Sequence, residues 1–200
     1  MRRGLEILLL AGGLAGVGIW IWSRVNMDLY QHQANRVLER ELARRQPGTP
    51  PLEVPNGTLL GRLVIPRLKL RSVVREGAGE GILAVALGHI PGTAFPGQPG
   101  NVGIAGHRDT LFRGLRQIAD DDLIEIETPS GVYAYRVEKT SIVKPTDVDV
   151  LRASAQPELT LVTCYPFYYV GPAPDRFVVK ARLVTSTATR AVHGRAATAG

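Results

Sequence analysis

The stretch "LIEIETPSGVYAYRVEKTSIV", Leu123 to Val143, decides the fold. Apolar and polar residues alternate from Leu123 to Thr128, and the alternation resumes after Pro129-Ser130-Gly131. A period of two puts successive side chains on opposite faces of a strand, and a short Pro/Gly break between two such runs is a hairpin signal. The centre of the chain is therefore β-structure with one face toward a core.

Working outward, the same texture continues on both sides. Downstream, "LTLVTC" (159–164) and "RFVVKARLV" (176–184) are two further strands, separated by a loop rich in proline and aromatics. Upstream, "TLLGRLVIPRLKLRSVV" (58–74) reads as two strands pivoting at Pro66, and "GILAVALGHI" (81–90) as a helical turn followed by a strand. "PGTAFPGQPG" (91–100) is a loop, "NVGIAGH" (101–107) a strand ending at His107, and "DTLFRGLRQI" (109–118) a short helix or turn. About eight strands result, enough to close a small barrel and leave no open edge. The 22 glycines and 14 prolines suit many turns between short strands better than a helical bundle.

The N-terminus has a different character. Arg2 and Arg3 precede an apolar run from Ile7 to Trp22, and Arg24 follows it. Leu5 and Ser23 extend the run, Glu6 can snorkel to the interface, and Trp20 and Trp22 suit an aromatic belt. No small-residue cleavage site follows, which favours an uncleaved anchor over a signal peptide. The expected orientation has the N-terminus inside and the body outside. Met27 to Arg45 reads as an amphipathic helical stalk, with Leu38 and Leu42 one turn apart. "QPGTPPLEVPNG" (46–57) then gives a stiff linker. The tail "TSTATRAVHGRAATAG" (185–200) is small, polar and basic, a composition that supports no packed core.

Charge bounds the partners. The net charge is +6, but the arginines are scattered and no recognisable binding module is present, so nucleic acid is not an expected partner. A basic surface near an anionic membrane or wall accounts for the charge. No metal-ligand spacing occurs, and no cofactor or metal is expected. Asp120, Asp121 and Asp122 read as a solvated turn.

One residue stands out chemically. Cys164 is the only cysteine, and it closes an apolar strand just before Tyr165-Pro166. A buried cysteine is most often inert core. An odd cysteine in an exported chain, however, is either intermolecular or reactive. A thiol nucleophile needs a group that stabilises the thiolate and later protonates a leaving amine, a task suited to histidine. His107 and His89 are the candidates, since His32 falls in the stalk and His193 in the tail. Acyl transfer also needs a donor aimed at the developing oxyanion, and Arg176 at the start of the last strand can supply one.

These residues, in this order, resemble the sortases. "TLVTC" (160–164) is similar to the sortase TLxTC signature, "GIAGHRDTLFRGL" (103–115) to the segment around the sortase histidine, and "DRFVVKARL" (175–183) to the strand bearing the sortase arginine. "GHIPGTAFPGQPGN" (88–101) and "KPTDVDVL" (144–151) resemble the class D branch. The resemblance implies a closed eight-stranded β-barrel with short helices, preceded by the anchor helix and stalk. It implies a cysteine transpeptidase that cuts an LPxTG-like C-terminal sorting motif of exported proteins. The threonine is then joined to an amine of peptidoglycan or of another protein. On this resemblance Cys164 is the nucleophile, His107 the general acid and base, and Arg176 the oxyanion and substrate-positioning residue. Thr163 adds a hydrogen bond at the substrate, His89 supports the site, and Tyr165 and Tyr168 belong to a loop (165–175) that walls the groove. The domains expected are an anchor at 1–24, a juxtamembrane helix and linker at 25–57, the catalytic barrel at 58–186 and a disordered tail at 187–200. The catalytic domain then sits outside a membrane whose lipid holds the anchor. Two rivals stand beside this reading: an L,D-transpeptidase of peptidoglycan, and a membrane-tethered barrel that binds without catalysis. Tyr165-Pro166 after the cysteine and Gly106-His107-Arg108 upstream fit the former poorly.

Overall fold

The computed structural model describes residues 2–43, 54–169 and 171–188. It opens with one long helix, α1 (Arg2–Ala43), and a short one, α2 (Glu80–Leu83), lies between the second and third strands in the chain. Eight strands follow α1: β1 (Leu59–Ile65), β2 (Leu70–Glu76), β3 (Leu87–His89), β4 (Asn101–Ala105), β5 (Leu123–Thr128), β6 (Gly131–Val143), β7 (Glu158–Tyr165) and β8 (Asp175–Ala188). They close into a barrel in the order β1-β2-β3-β4-β7-β8-β6-β5, with β1 pairing β5 to complete the ring. The closed barrel expected from the alternating pattern is thus the observed fold.

The local reasons are legible. Pro66 starts a single 3-10 turn (Pro66–Leu68), and Lys69 at φ 51° turns the chain into β2. Proline has a fixed φ and no N–H to lose, which suits it to that pivot. The β5–β6 hairpin holds the register predicted by alternation, with Ile124 opposite Tyr135 and Ile126 opposite Tyr133. All four side chains lie in the core, together with Leu63, Ile65, Val102, Ile104, Leu159, Leu161 and Val179. Phe112 and Leu115, from the segment after His107, complete that core. Most pairings are antiparallel, but β2–β3 and β4–β7 are parallel.

Two expected boundaries shift. Strand β4 ends at Ala105, two residues before His107. Thr187 and Ala188, placed with the tail by composition, pair with Val132 and Gly131 as the end of β8. The rest of the expected tail, 189–200, and most of the linker, 44–53, lie outside the described residues.

Helix α1 runs unbroken through both the anchor and stalk segments. Its apolar N-terminal part is exposed and long enough to cross a membrane, with mean hydropathy 1.6. Its second half is docked on the barrel rather than free. Leu38 is fully buried and Met27 nearly so. The Gln31 side chain donates Nε2 to the Val85 carbonyl at 2.6 Å and accepts the Val73 N–H at 3.1 Å. Buried Arg62 donates to Glu127 Oε2 (2.8 Å), to Glu39 Oε1 (2.7 Å) and to Asn35 Oδ1 (3.0 Å). The two carboxylates neutralise a guanidinium that burial would otherwise leave costly. Arg62 in turn holds the Glu39 carboxyl below the usual range, chiefly by its hydrogen bond.

The acidic turn also differs from expectation. Asp122 is buried, accepts a 2.6 Å hydrogen bond from Arg67 Nη2, and caps the Ala119 N–H at 2.8 Å. Only Asp120 and Asp121 face solvent as a solvated turn would.

Candidate active site

Strand register assembles the site. In β7, Leu159 and Leu161 point into the core and Thr163 is buried with them, so Cys164 faces the outer side. The β7–β8 ladder sets Cys164 directly opposite Arg176. Paired residues project to the same face, so thiol and guanidinium share it. On the other flank, the parallel β4–β7 ladder runs to Ala105 opposite Val162. It continues one step further, since the Gly106 N–H bonds the Val162 carbonyl at 3.2 Å. His107 lies two residues past Ala105, and Cys164 two past Val162.

Gly106 sets how the segment before His107 sits against the core. A Cβ at Gly106 would lie 2.6 Å from Leu87 and 2.7 Å from Phe112, both core side chains. Gly106 therefore faces inward. Cys164 is half-buried, and the His107 side chain is 33% exposed, so both are reachable from solvent while partly sheltered.

The rest of this face explains why it opens where it does. At Gly103 the outer surface of β4 is covered: a Cβ there would meet Thr93 at 3.0 Å, Leu151 at 3.1 Å and Ile90 at 3.3 Å. Asn101 fastens that cover by donating to the carbonyls of Val150 and Arg152. Beyond Gly103 the face continues through Ala105 and Val162 to the thiol. Arg176 spends Nη1 on the carbonyls of Ala173 (3.3 Å) and Asp175 (3.0 Å). Among the described residues no partner engages its Nε or Nη2, which leaves these N–H groups available beside Cys164.

The other expected site residues fall in different places. Thr163 is buried, and its hydroxyl donates to the Gly106 carbonyl at 2.7 Å. It staples the thiol's strand to the histidine's segment instead of facing the groove. His89 is buried as well, with Nδ1 2.7 Å from Glu76 Oε2 and Nε2 2.9 Å from the Ala94 carbonyl. Its ring stacks on Phe95 at 4.7 Å. His89 thus braces the 91–100 loop behind the site. Tyr165 packs in an aromatic cluster with Phe167 (6.1 Å) and Phe177 (6.4 Å). Tyr168 alone of these is open, at 77% exposure.

Two contributors escaped the sequence reading. Glu76 is the partner that His89 needs, and its position at the end of a strand gave no sign of that. Arg108 directly follows His107 and reaches across to the loop between β7 and β8. Its adjacency to His107 was the available signal. Glu80 also comes within 3.8 Å of His107 Nε2, but it is 92% exposed, and such pairs contribute little.

A closed eight-stranded barrel that pairs a cysteine with an arginine across neighbouring strands, with a histidine just past the end of the next strand, suits a cysteine-dependent acyl-transfer enzyme. The Sortase domain profile matches residues 63–184. Sortase D of Bacillus subtilis (strain 168) is 28% identical over 200 residues, covering 92% of this chain and 100% of that protein. Among solved structures, a Clostridium perfringens sortase D5 transpeptidase superposes with a TM-score of 0.61 at 28% identity, covering 77% of this chain and 88% of that one. The SrtA sortase from Actinomyces oris gives 0.62 at 28% identity, covering 70% and 88%. This chain belongs to the sortase family of cysteine transpeptidases.

Proposed function

We propose that this chain is a membrane-anchored sortase that cleaves an LPxTG-like sorting motif through a Cys164 thioester and passes the acyl group to an amine. The observation that supports this most is the strand register, which pairs Cys164 with Arg176 and joins the strand of Cys164 to the strand that ends two residues before His107. In this reading the Cys164 sulfur attacks the carbonyl carbon of the motif's threonine. The C–N bond breaks, and His107 gives a proton to the departing amine. An incoming amine then attacks the thioester, loses a proton to His107, and expels the thiolate. The uncommitted N–H groups of Arg176 donate to the oxyanion in both tetrahedral intermediates, where preorganised donors matter most. Thr163 and His89 act as positioning residues, and Tyr168 offers an exposed ring to the apolar part of the motif.

The helix α1 supports the anchoring half of the proposal by length and apolarity, with Arg24 and the two tryptophans at its exit. Substrates are exported proteins with a C-terminal motif, and acceptors are peptidoglycan or protein amines. A tether raises the effective concentration of both at the site. The test is product analysis by mass spectrometry with an LPxTG-like peptide and added diaminopimelate, lysine or glycine amines. Transpeptidation gives an amine adduct that grows with amine concentration. Cleavage that yields only the free acid at every amine concentration makes the chain a protease instead. Failure to cleave the peptide at all favours the non-catalytic binding reading.

A further inference from the structure

We infer that Arg108 is a positioning residue that clamps the β7–β8 loop as a wall of the substrate groove, and so sets the affinity for the sorting peptide. The inference rests on the proposed sortase activity. It starts from the loop itself. Residues 166–174 join the strand that ends beside Cys164 to the strand that begins at Asp175-Arg176. Among the described residues of this loop there is no backbone–backbone hydrogen bond. The described part of that connection has no ladder to hold its shape, and ladder-free loops are normally mobile.

Something else holds it. The Arg108 guanidinium donates Nη1 to the Pro166 carbonyl at 2.9 Å, and Nη2 to the carbonyls of Tyr169 at 2.8 Å and Gly171 at 3.3 Å. Its Cζ also lies 5.8 Å from the centroid of the Tyr169 ring. One planar fork thus satisfies three carbonyls spread over six residues and covers an aromatic face, which a lysine ammonium cannot reproduce. Arg116, from the same side, sits 5.4 Å from the Tyr168 ring. The loop is pinned at its far end by Arg176 and by Lys144, which holds Asp175 at 2.7 Å.

The consequence lies in connectivity. Arg108 is the neighbour of His107, and the loop it grips is the covalent link between Cys164 and Arg176. One side chain therefore ties the segment of the histidine to the chain between the other two site residues. Exposed Tyr168 and half-exposed Tyr169 are carried on the clamped part. Losing the clamp leaves the thiol in its strand but lets the wall drift. That is a loss of peptide binding, felt in KM more than in kcat.

The experiment uses the full chain in detergent and compares wild type with Arg108→Gln, Arg108→Lys and Tyr169→Leu. Three readouts are taken: chymotryptic nicking after Tyr168 and Tyr169, KM and kcat for an LPxTG-like peptide, and Cys164 alkylation by iodoacetamide. For Arg108→Gln the expected result is nicking about tenfold faster and KM several-fold higher, with kcat reduced less than KM rises. Alkylation should stay within about twofold of wild type, which a collapsed barrel would not give. Arg108→Lys should recover part of the KM, and if Arg108→Gln does not fold, Tyr169→Leu should speed nicking after Tyr168 and raise KM in the same direction. Unchanged nicking, or faster nicking with an unchanged KM, overturns the inference. If wild type fails to cleave the peptide, the proposed function is what fails, and the nicking rates still decide whether Arg108 clamps the loop.

Discussion

Gly106 carries more of the site than its lack of a side chain suggests. Its Cβ position is occupied by Leu87 and Phe112, and its carbonyl accepts the Thr163 hydroxyl. Any side chain there must push the histidine segment away from β7 or crowd the core. Overpacking of this kind typically costs about 1–3 kcal/mol. Gly106→Ala should therefore lower the denaturation midpoint and reduce turnover together, measured by urea unfolding and a peptide-cleavage assay. Thr163→Val, which removes the hydroxyl staple and leaves the buried Gly106 carbonyl unpaired, should lower activity and cost about 1–3 kcal/mol of stability in the same two assays. The three candidate residues and their order stand out in the sequence because each sits in a short motif. Thr163 was expected at the substrate, although it shares the parity of Leu159 and Leu161 and so could have been placed inward. The task of His89 was illegible for a different reason. It depends on Glu76, thirteen residues away and brought near only by the parallel β2–β3 pairing.

The helix α1 shows the same limit at the scale of elements. Its existence follows from composition, yet its docking does not, because a single sequence does not reveal which barrel groups lack partners. Gln31 supplies what a neighbouring strand would supply, one acceptor for the Val73 N–H and one donor for the Val85 carbonyl. Val73 is fully buried, so its amide has no recourse to water. An unsatisfied buried backbone group costs about 1–3 kcal/mol. Gln31→Ala in the full chain should destabilise the barrel by that order, read from guanidinium unfolding followed by core tyrosine fluorescence. An unfolding curve that superposes on wild type would show that the helix merely rests on the barrel. The strands, by contrast, were readable from alternation almost throughout. The exceptions lie at ends, where β4 stops short of His107 and β8 runs on to Ala188, because pairing rather than composition sets where a strand stops.

For the molecule as a whole, acid stability offers a test that needs no substrate. Asp122 is buried, and its carboxyl is held below the usual range, first by the Arg67 hydrogen bond and then by the Ala119 N–H, against the opposing effect of burial. A carboxyl with a depressed folded pKa adds stability that is present above its unfolded value, near 4, and is lost as pH falls through the folded value. Thermal unfolding of wild type should therefore steepen below about pH 4. Asp122→Asn should be less stable at pH 7 and show a flatter acid limb. Parallel curves for the two proteins would remove Asp122 from the account. The account of the site itself stands most directly on whether Cys164 becomes acylated. Intact-mass spectrometry of the full chain, quenched in acid within the first turnovers of an LPxTG-like peptide, reads this directly. The predicted result is a mass increase equal to the motif up to its threonine, mapped to Cys164, discharged by added amine and absent in Cys164→Ala. Peptide cleavage that persists in Cys164→Ala, or an adduct on any other residue, would contradict it.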